Sequence, residues 1–313
     1  MDFLSPTHFP DYELIDCGNF EKLERFGQYI TIRPEPQAVW DSALSQGDWN
    51  KKAHVRFLPH SSYAGNWEKL KTMPDNWEVA YNLPNGPTIR FKLSLTSFKH
   101  VGIFPEQAVH WDYIYQNMLS FSPQTPKGAL SSATQSPFRG LGHEQPEKPR
   151  FLNLFAYTGG ASLAAKAAGA DVIHLDSVRQ VVSWAKNNME LSKLDNIRWL
   201  IEDAMKYVKR EIKRGSKYQG IILDPPAYGH GPDKEQWKLE DNLNEMVNSV
   251  LQILAPEKHI LILNTYSLGF SSLIIENLLK KQYKNLQTGE LFLPSTSGFK
   301  LPLGVFGRVV SGS

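Results

Sequence analysis

The chain has 313 residues, enough for two domains and a sizeable core. Its net charge is +2, with 15 basic against 16 acidic residues over 1–150 and 19 against 16 over 151–313. That falls short of the cationic excess of a non-specific nucleic-acid binder but leaves room for a local basic patch. One cysteine, Cys17, excludes an internal disulfide and a multi-cysteine metal site. With no long apolar run and no charged-then-apolar leader, the expectation is a soluble, cytoplasmic protein with no membrane contact.

Residues 1 to about 120 carry short β-like runs: Tyr29-Ile-Thr-Ile-Arg33, Val55-Arg-Phe-Leu58, Trp77-Glu-Val-Ala-Tyr-Asn-Leu83 and Thr88-Ile-Arg-Phe-Lys-Leu93. Pro and Gly punctuate them, as in Leu83-Pro-Asn-Gly-Pro87. This predicts a smaller N-terminal β-rich domain over 1–120. Trp40, Trp49, Trp67 and Trp77 concentrate there and read as its core, with a base-stacking surface as the rival. Residues 121–149 are rich in Ser, Pro, Gly, Thr and Gln and read as a flexible linker or insertion.

From residue 150 strands and helices alternate, which predicts an α/β catalytic domain over 150–313 with a parallel sheet covered on both faces. Strands are expected near 151–155, 171–176, 197–201, 219–224 and 259–264, and helices near 160–168, 178–192, 203–213, 235–254 and 271–282. Leu286 to Phe292 and Val305 to Val310 read as a final strand pair able to add an antiparallel strand at the sheet edge.

Two segments carry chemistry. The first is the loop Tyr157-Thr-Gly-Gly160 between a strand and a helix. Glycine there allows close backbone approach, and the helix N-terminus offers free N–H groups. The dinucleotide pattern G-x-G-x-x-G is incomplete, because residue 163 is Leu. The loop carries Phe155, Tyr157 and Thr158 instead. This favours a ligand without a pyrophosphate, such as S-adenosylmethionine, over NAD. Asp176 ends the second strand, where a carboxylate can accept both ribose hydroxyls or cap the next helix. Asp203 ends the third strand and can accept from an adenine amino group or cap a helix. Asn153, Asp176 and Asp203 together place polar residues at successive strand ends.

The second segment is Gly220-Ile-Ile-Leu-Asp-Pro-Pro-Ala-Tyr228, a buried strand followed by an abrupt polar turn. Pro225 and Pro226 fix the backbone and remove two N–H donors, leaving rigid carbonyls toward a crevice. Asp224 can hold an amino group of an acceptor, and Tyr228 can stack on a planar base. Residues 229–237 read as a lid, and His230 is a proton carrier by residue type alone.

At these residues the chain resembles the class I S-adenosylmethionine-dependent methyltransferases, and more narrowly the bacterial family that methylates large-subunit ribosomal RNA at cytosine C5 or guanine N7. The resemblance rests on Asn153-Leu-Phe-Ala-Tyr-Thr-Gly-Gly160, Asp176-Ser177, Ala185-Lys-Asn-Asn188, Asp203-Ala204, Asp224-Pro-Pro-Ala-Tyr228 and the upstream His100-Val-Gly-Ile-Phe-Pro-Glu-Gln107. It implies a seven-stranded Rossmann-like sheet with the last strand pair antiparallel. It also implies Phe104 and Gln107 at the adenosine end of the cofactor, and Phe155, Thr158, Gly159 and Gly160 at the methionine end. Asp176 with Ser177 falls to the ribose, Asp203 to adenine, and Asp224 to Tyr228 to the acceptor.

One departure bears on the reaction. Cytosine-C5 enzymes attack the base with a cysteine thiolate. Here Thr265, Tyr266 and Ser267 stand where that thiol would be needed. Taken with the resemblance, which implies RNA and ribosomal RNA foremost, the expected reaction is direct methyl transfer to a base nitrogen without a cysteine adduct and without a metal. The alternatives are the same chemistry on a small molecule or protein, an NAD-dependent oxidoreductase, or a silent binding module.

Overall fold

A computed structural model of the protein describes residues 1–61, 64–122, 147–266 and 269–312. Most of the expected linker over 121–149 lies outside the described residues, as does Ser267. The N-terminal part contains β1 (Asp2–Leu4), β2 (Tyr12–Gly18), β3 (Glu21–Phe26), β4 (Tyr29–Pro34), α1 (Gln46–Lys52), β5 (Val55–Pro59), β6 (Gly65–Lys69), β7 (Asn76–Asn82) and β8 (Thr88–Ser94). A 3-10 turn, Pro105–Gln107, leads into α2 (Ala108–Phe121). Then follow β9 (Arg150–Leu154), α3 (Gly160–Ala167), β10 (Asp171–Asp176), α4 (Arg179–Leu191), β11 (Ile197–Ile201), α5 (Ala204–Arg214) and β12 (Gly220–Leu223). The chain continues through β13 (Tyr228–His230), β14 (Gln236–Lys238), α6 (Leu239–Ile253), β15 (His259–Thr265), α7 (Ser272–Leu279), β16 (Gln287–Pro294) and β17 (Lys300–Ser311).

The central sheet has the order β1-β16-β17-β15-β12-β9-β10-β11. Strands β15, β12, β9, β10 and β11 are parallel, and β17 runs antiparallel between β15 and β16. The seven expected strands are present, and β1 adds an eighth, parallel to β16. The order reverses beside β9: the chain winds outward to β11 and returns to β12 on the other side. A doubly wound sheet binds ligands at such a switch point, where neighbouring loops diverge and leave a crevice.

The inner strands β12 and β15 are buried along their length and largely apolar, while β11 at the sheet edge is only partly buried. One expectation needs correcting at its start. The helix expected from 235 begins at Leu239, because Gln236–Lys238 pairs with Tyr228–His230 as a hairpin.

The N-terminal strands form a five-stranded sheet, β2-β3-β4-β5-β6, and a hairpin, β7-β8. Sequence reading misses β2, β3, β6, α1 and α2. Strand β3 shows why: it turns Lys22 and Glu24 inward, where Glu24 pairs with Arg33 (2.6 Å) and Lys22 with Glu35 (3.1 Å). Inward charges erase the apolar alternation that marks a strand. Trp49 and Trp77 are buried, and Trp40 and Trp67 pack against the core. One apolar core joins these strands to α2, α3 and one face of the central sheet; a second fills the other face. Trp111 on α2 stacks on Phe91 (5.0 Å) and lies so near α3 that a Cβ on Gly160 would meet its ring at 2.5 Å. No helix among the described residues is long and apolar enough to cross a membrane.

Candidate active site

A cleft of about 750 Å³ opens at the carboxyl ends of β9, β10, β11 and β12. A cavity of about 40 Å³ adjoins it and shares Phe104, Phe155, Tyr157 and Asp224 with it. The cleft is lined by Asp176, Ser177, Asp203, Pro225, Pro226 and Tyr228, and the small cavity by Gln107, Asn153, Thr158, Gly159 and Gly160. Every residue singled out for the site from sequence thus borders one of two contiguous spaces.

The loop after β9 is strained. Phe155 (φ 58°) and Tyr157 (φ 48°) take the left-handed conformation, which costs a side-chain-bearing residue about 1 kcal/mol or more. Surrounding hydrogen bonds hold it there. Asp176 Oδ2 accepts from the Tyr157 N–H (2.9 Å), and Thr158 Oγ1 donates to the Gly102 carbonyl (2.7 Å). Asn188 on α4 donates to the Thr158 carbonyl (2.9 Å) and accepts from the Lys92 N–H (2.9 Å). Gly102 (φ 107°) is required at its contact, since a Cβ would lie 2.2 Å from Trp184. Asn153 is buried and donates to Ser162 Oγ (2.9 Å), which in turn contacts His174 Nδ1 (3.0 Å).

The strand-end carboxylates do double duty. Asp176 also accepts from the Val178 N–H (2.9 Å); burial raises its pKa while these backbone bonds oppose the rise. Asp203 caps α5 by accepting from the Lys206 N–H (2.8 Å) and still borders the cleft. Capping and a ligand-facing position therefore coexist at Asp203, whereas Asp176 closes a turn ahead of α4, whose N-cap is Val178. Val178, exposed, supplies an apolar surface beside them.

Asp224 is the most perturbed acid in the cleft. Burial pushes its pKa up to about 7, the Asn264 hydrogen bond works against this, and the Glu106 charge adds to it. Its Oδ1 accepts from Asn264 Nδ2 (2.8 Å) and its Oδ2 from Gln107 Nε2 (3.1 Å). Gln107 also donates to the Tyr266 hydroxyl (2.8 Å). Glu106, Asn264 and Tyr266 are thus part of the site though not picked out as such from sequence. Asn264 left one signal: it is a polar residue inside the apolar run of β15.

Pro226 differs from its reading as a carbonyl turned freely to the crevice, because it accepts from the Trp237 indole (2.7 Å). That bond ties the acceptor loop to the β13–β14 hairpin. Lys206 on α5 pairs with Glu235 and Asp233 at the hairpin's far end. Tyr228 is exposed, and its hydroxyl meets His230 Nε2 at 3.0 Å. The N-terminal part contributes a further portion of the lining, including Lys22, Arg33, Glu35, Phe98, Lys99 and His100.

Comparison with known proteins agrees with this geometry. A sequence profile described as S-adenosylmethionine-dependent methyltransferase matches residues 137–284. The solved structure of the S-adenosylmethionine-dependent methyltransferase from Agrobacterium tumefaciens is 32% identical, covers 100% of this chain and 94% of its own, and superposes with a TM-score of 0.83. A methyltransferase structure complexed with S-adenosylhomocysteine is 17% identical over 92% of this chain and 71% of its own, with a TM-score of 0.64, a likeness of fold. Among curated proteins, ribosomal RNA large subunit methyltransferase K/L of Shewanella frigidimarina is 26% identical over 56% of this chain and 21% of its own length. Methyltransferase K of Neisseria meningitidis is 26% identical over 43% of this chain and 38% of its own. The chain therefore spans well under half the length of these curated relatives.

Proposed function

This chain belongs to the S-adenosylmethionine-dependent methyltransferases, and from that premise we propose that it methylates a base nitrogen of RNA, ribosomal RNA foremost, by direct transfer. The observation that carries the reading is the rigid Asp224-Pro-Pro-Ala-Tyr228 turn, which borders the same cleft as the strand-end acids. The names of the curated relatives support RNA as the acceptor, and an enzyme acting on ribosomal RNA belongs in the cytoplasm.

The cofactor supplies a methyl group on a positively charged sulfonium. The residues present fit it. Asp176, tied to two backbone amides, keeps lone pairs for the ribose hydroxyls, with Ser177 beside it. Val178 and Asp203 suit the adenine, one through apolar contact and the other through its carboxylate. Phe104 stands at the junction of the two spaces, with Tyr157 (5.0 Å) and Tyr266 (5.7 Å) around it. The small cavity suits the methionine end through Asn153, Phe155 and Thr158 to Gly160; Gln107 borders it as well, although the resemblance implies the adenosine end for that residue.

For the acceptor, Asp224 takes a hydrogen bond from a base amino group and Tyr228 stacks on the ring. Pro225 and Pro226 fix the turn so that little is reorganised as the methyl moves. The nitrogen lone pair would form the bond to the methyl carbon as the carbon–sulfur bond breaks, and where the acceptor is an amino group the proton it sheds would pass to Asp224 or to solvent. Cys17 is buried in β2, away from the cleft lining, which supports transfer without a thiolate adduct. In this reading residues 150–313 carry most of the cofactor site and the acceptor turn, Phe104 and Gln107 complete the cofactor site, and the rest of residues 1–120 serves acceptor binding.

The test is transfer of labelled methyl into an extract of cells lacking the gene, separated into RNA, protein and small molecules. Label in RNA that nuclease removes is the expected result. Label confined to protein or small molecules would discard the RNA acceptor.

A further inference from the structure

We infer that residues 96–100 form an RNA-gripping wall of the cleft, with Phe98 stacking on an unpaired base and Lys99 neutralising a phosphate of the same strand. The inference rests on the RNA reading above and extends it to Phe98 and Lys99, which no motif marks.

The first ground is exposure. Among the described residues, the exposed large apolar side chains that line the cleft are Phe98 (54%), Val178 (47%) and Tyr228 (48%). Val178 sits between the acids assigned to the cofactor. Phe98 and Tyr228 are two open aromatic faces in one cleft, a costly arrangement for a chain that buries most of its rings, and one suited to splayed bases.

The second ground is charge. Lys99 has no carboxylate within ion-pair distance among the described residues, and its ammonium's one hydrogen bond is to the Pro34 carbonyl at 3.4 Å. Burial disfavours its charge, and although Glu35 opposes this, Lys22 and Arg33 add to it. A bound anion would relieve that cost. The cleft lining is also uneven in charge. Asp176, Glu202, Asp203 and Asp224 lie on the parallel-sheet side, while the N-terminal part brings Lys22, Arg33 and Lys99 together with Glu35 and the buried Glu106. Lys22 and Arg33 are paired with Glu24 and Glu35, and Lys99 has no such pair among the described residues. A cofactor with a net positive charge belongs with the acids of the parallel-sheet side, which leaves Lys99 for an anion.

The third ground is rigidity. The backbone of this segment is pinned from behind. Trp67 Nε1 donates to the Thr96 carbonyl (2.7 Å), the Gly65 N–H to the Ser97 carbonyl (2.9 Å), and Arg33 Nη1 to the Lys99 carbonyl (3.1 Å). Arg33 is itself held by two bonds to Glu24 (2.8 and 2.6 Å). The buried ion pairs of the five-stranded sheet thereby fix a loop on which Phe98 is exposed and Lys99 half-buried at the cleft. Preorganisation of that kind lowers the ordering cost of binding.

The test uses the full chain and large-subunit ribosomal RNA from cells lacking it, measuring methyl transfer, RNA binding against salt, and S-adenosylhomocysteine affinity. Phe98→Ala and Lys99→Met should each raise KM for RNA about tenfold, a typical loss for one stacked base or one phosphate contact. Lys99→Met should also lower the salt-dependence slope by about one. Phe98→Tyr and Lys99→Arg should stay near wild type, and affinity for S-adenosylhomocysteine should hold in all four. Wild-type transfer with unchanged KM in Phe98→Ala and Lys99→Met would overturn the wall alone. A tenfold loss of S-adenosylhomocysteine affinity in Lys99→Met would move that ammonium to the cofactor's carboxylate and overturn its assignment. Failure of the wild type to bind or methylate the RNA would remove the RNA reading itself, and the wall with it.

Discussion

In the parallel-sheet half of the molecule, the cleft residues stand at the carboxyl ends of the strands, where Asp176 and Asp203 accept from backbone amides and Asp224 from the side-chain amides of Asn264 and Gln107. In the N-terminal half, Phe98 and Lys99 sit on a loop held from behind by buried ion pairs, some of whose members also line the cleft. The first half gains its order from burial along whole strands, as in β12 and β15. The second places Lys22, Glu24, Arg33 and Glu35 inside a small sheet, where unmatched charge would be expensive. The two halves of one cleft therefore fail in different ways. Damage to the first should cost cofactor binding or turnover, and damage to the second should cost stability and acceptor binding.

The sharpest break should come at Glu24. Glu24→Ala strands Arg33 and leaves Lys22 with one partner, and removal of one member of a buried pair costs about 3–5 kcal/mol. Denaturant unfolding should show that loss. A change of under about 1 kcal/mol would mean that water reaches the cluster and that its pairs resemble surface pairs.

Next comes Asp224. Asp224→Ala should lower kcat/KM about 100-fold, the scale of one lost transition-state contact. Burial holds this carboxyl at about 7 rather than near 3.8, so transfer should rise as pH climbs through about 7 and the carboxylate forms. The stability effect has the opposite sign. The folded state binds this proton more tightly than the unfolded one, so stability falls as pH rises from the ordinary carboxylate range to about 7, and the deficit is complete above it. Asp224→Asn should flatten the rate profile and gain more in Tm over wild type at alkaline than at acid pH. An unchanged rate profile in Asp224→Asn would show that another group sets the slope.

The smallest effect is expected at the hairpin. Lys206 is exposed, so its pairs with Glu235 and Asp233 are screened by solvent. Lys206→Ala should change turnover by less than about fivefold, in line with a modest latch. A larger loss in steady-state rate would make the hairpin's position central to the reaction.

The difference between the halves also explains what could be read from sequence. The strand–loop–helix at 151–167, the acid Asp176 and the Asp-Pro-Pro turn are contiguous, and buried parallel strands stand out as apolar runs. Their neighbours were legible for the same reason. Tyr266, Asn264 and Glu106 reach Asp224 only through folding, across 40 to more than 100 residues of chain, and spacing cannot reveal them. Phe98 and Lys99 look like ordinary loop residues until Trp67, Gly65 and Arg33 are seen to pin their backbone. Asp203 shows the limit of a single reading, since it is both a helix cap and a cleft residue.

The most direct measurement is calorimetric titration of S-adenosylhomocysteine into the wild type, Asp176→Ala and Lys99→Met side by side. The account predicts a loss of about 1–3 kcal/mol for Asp176→Ala, the worth of a charged hydrogen-bonding partner, and none for Lys99→Met. Wild-type affinity in a folded Asp176→Ala, with the loss appearing in Lys99→Met instead, would contradict the division of the cleft into a cofactor side and an acceptor side.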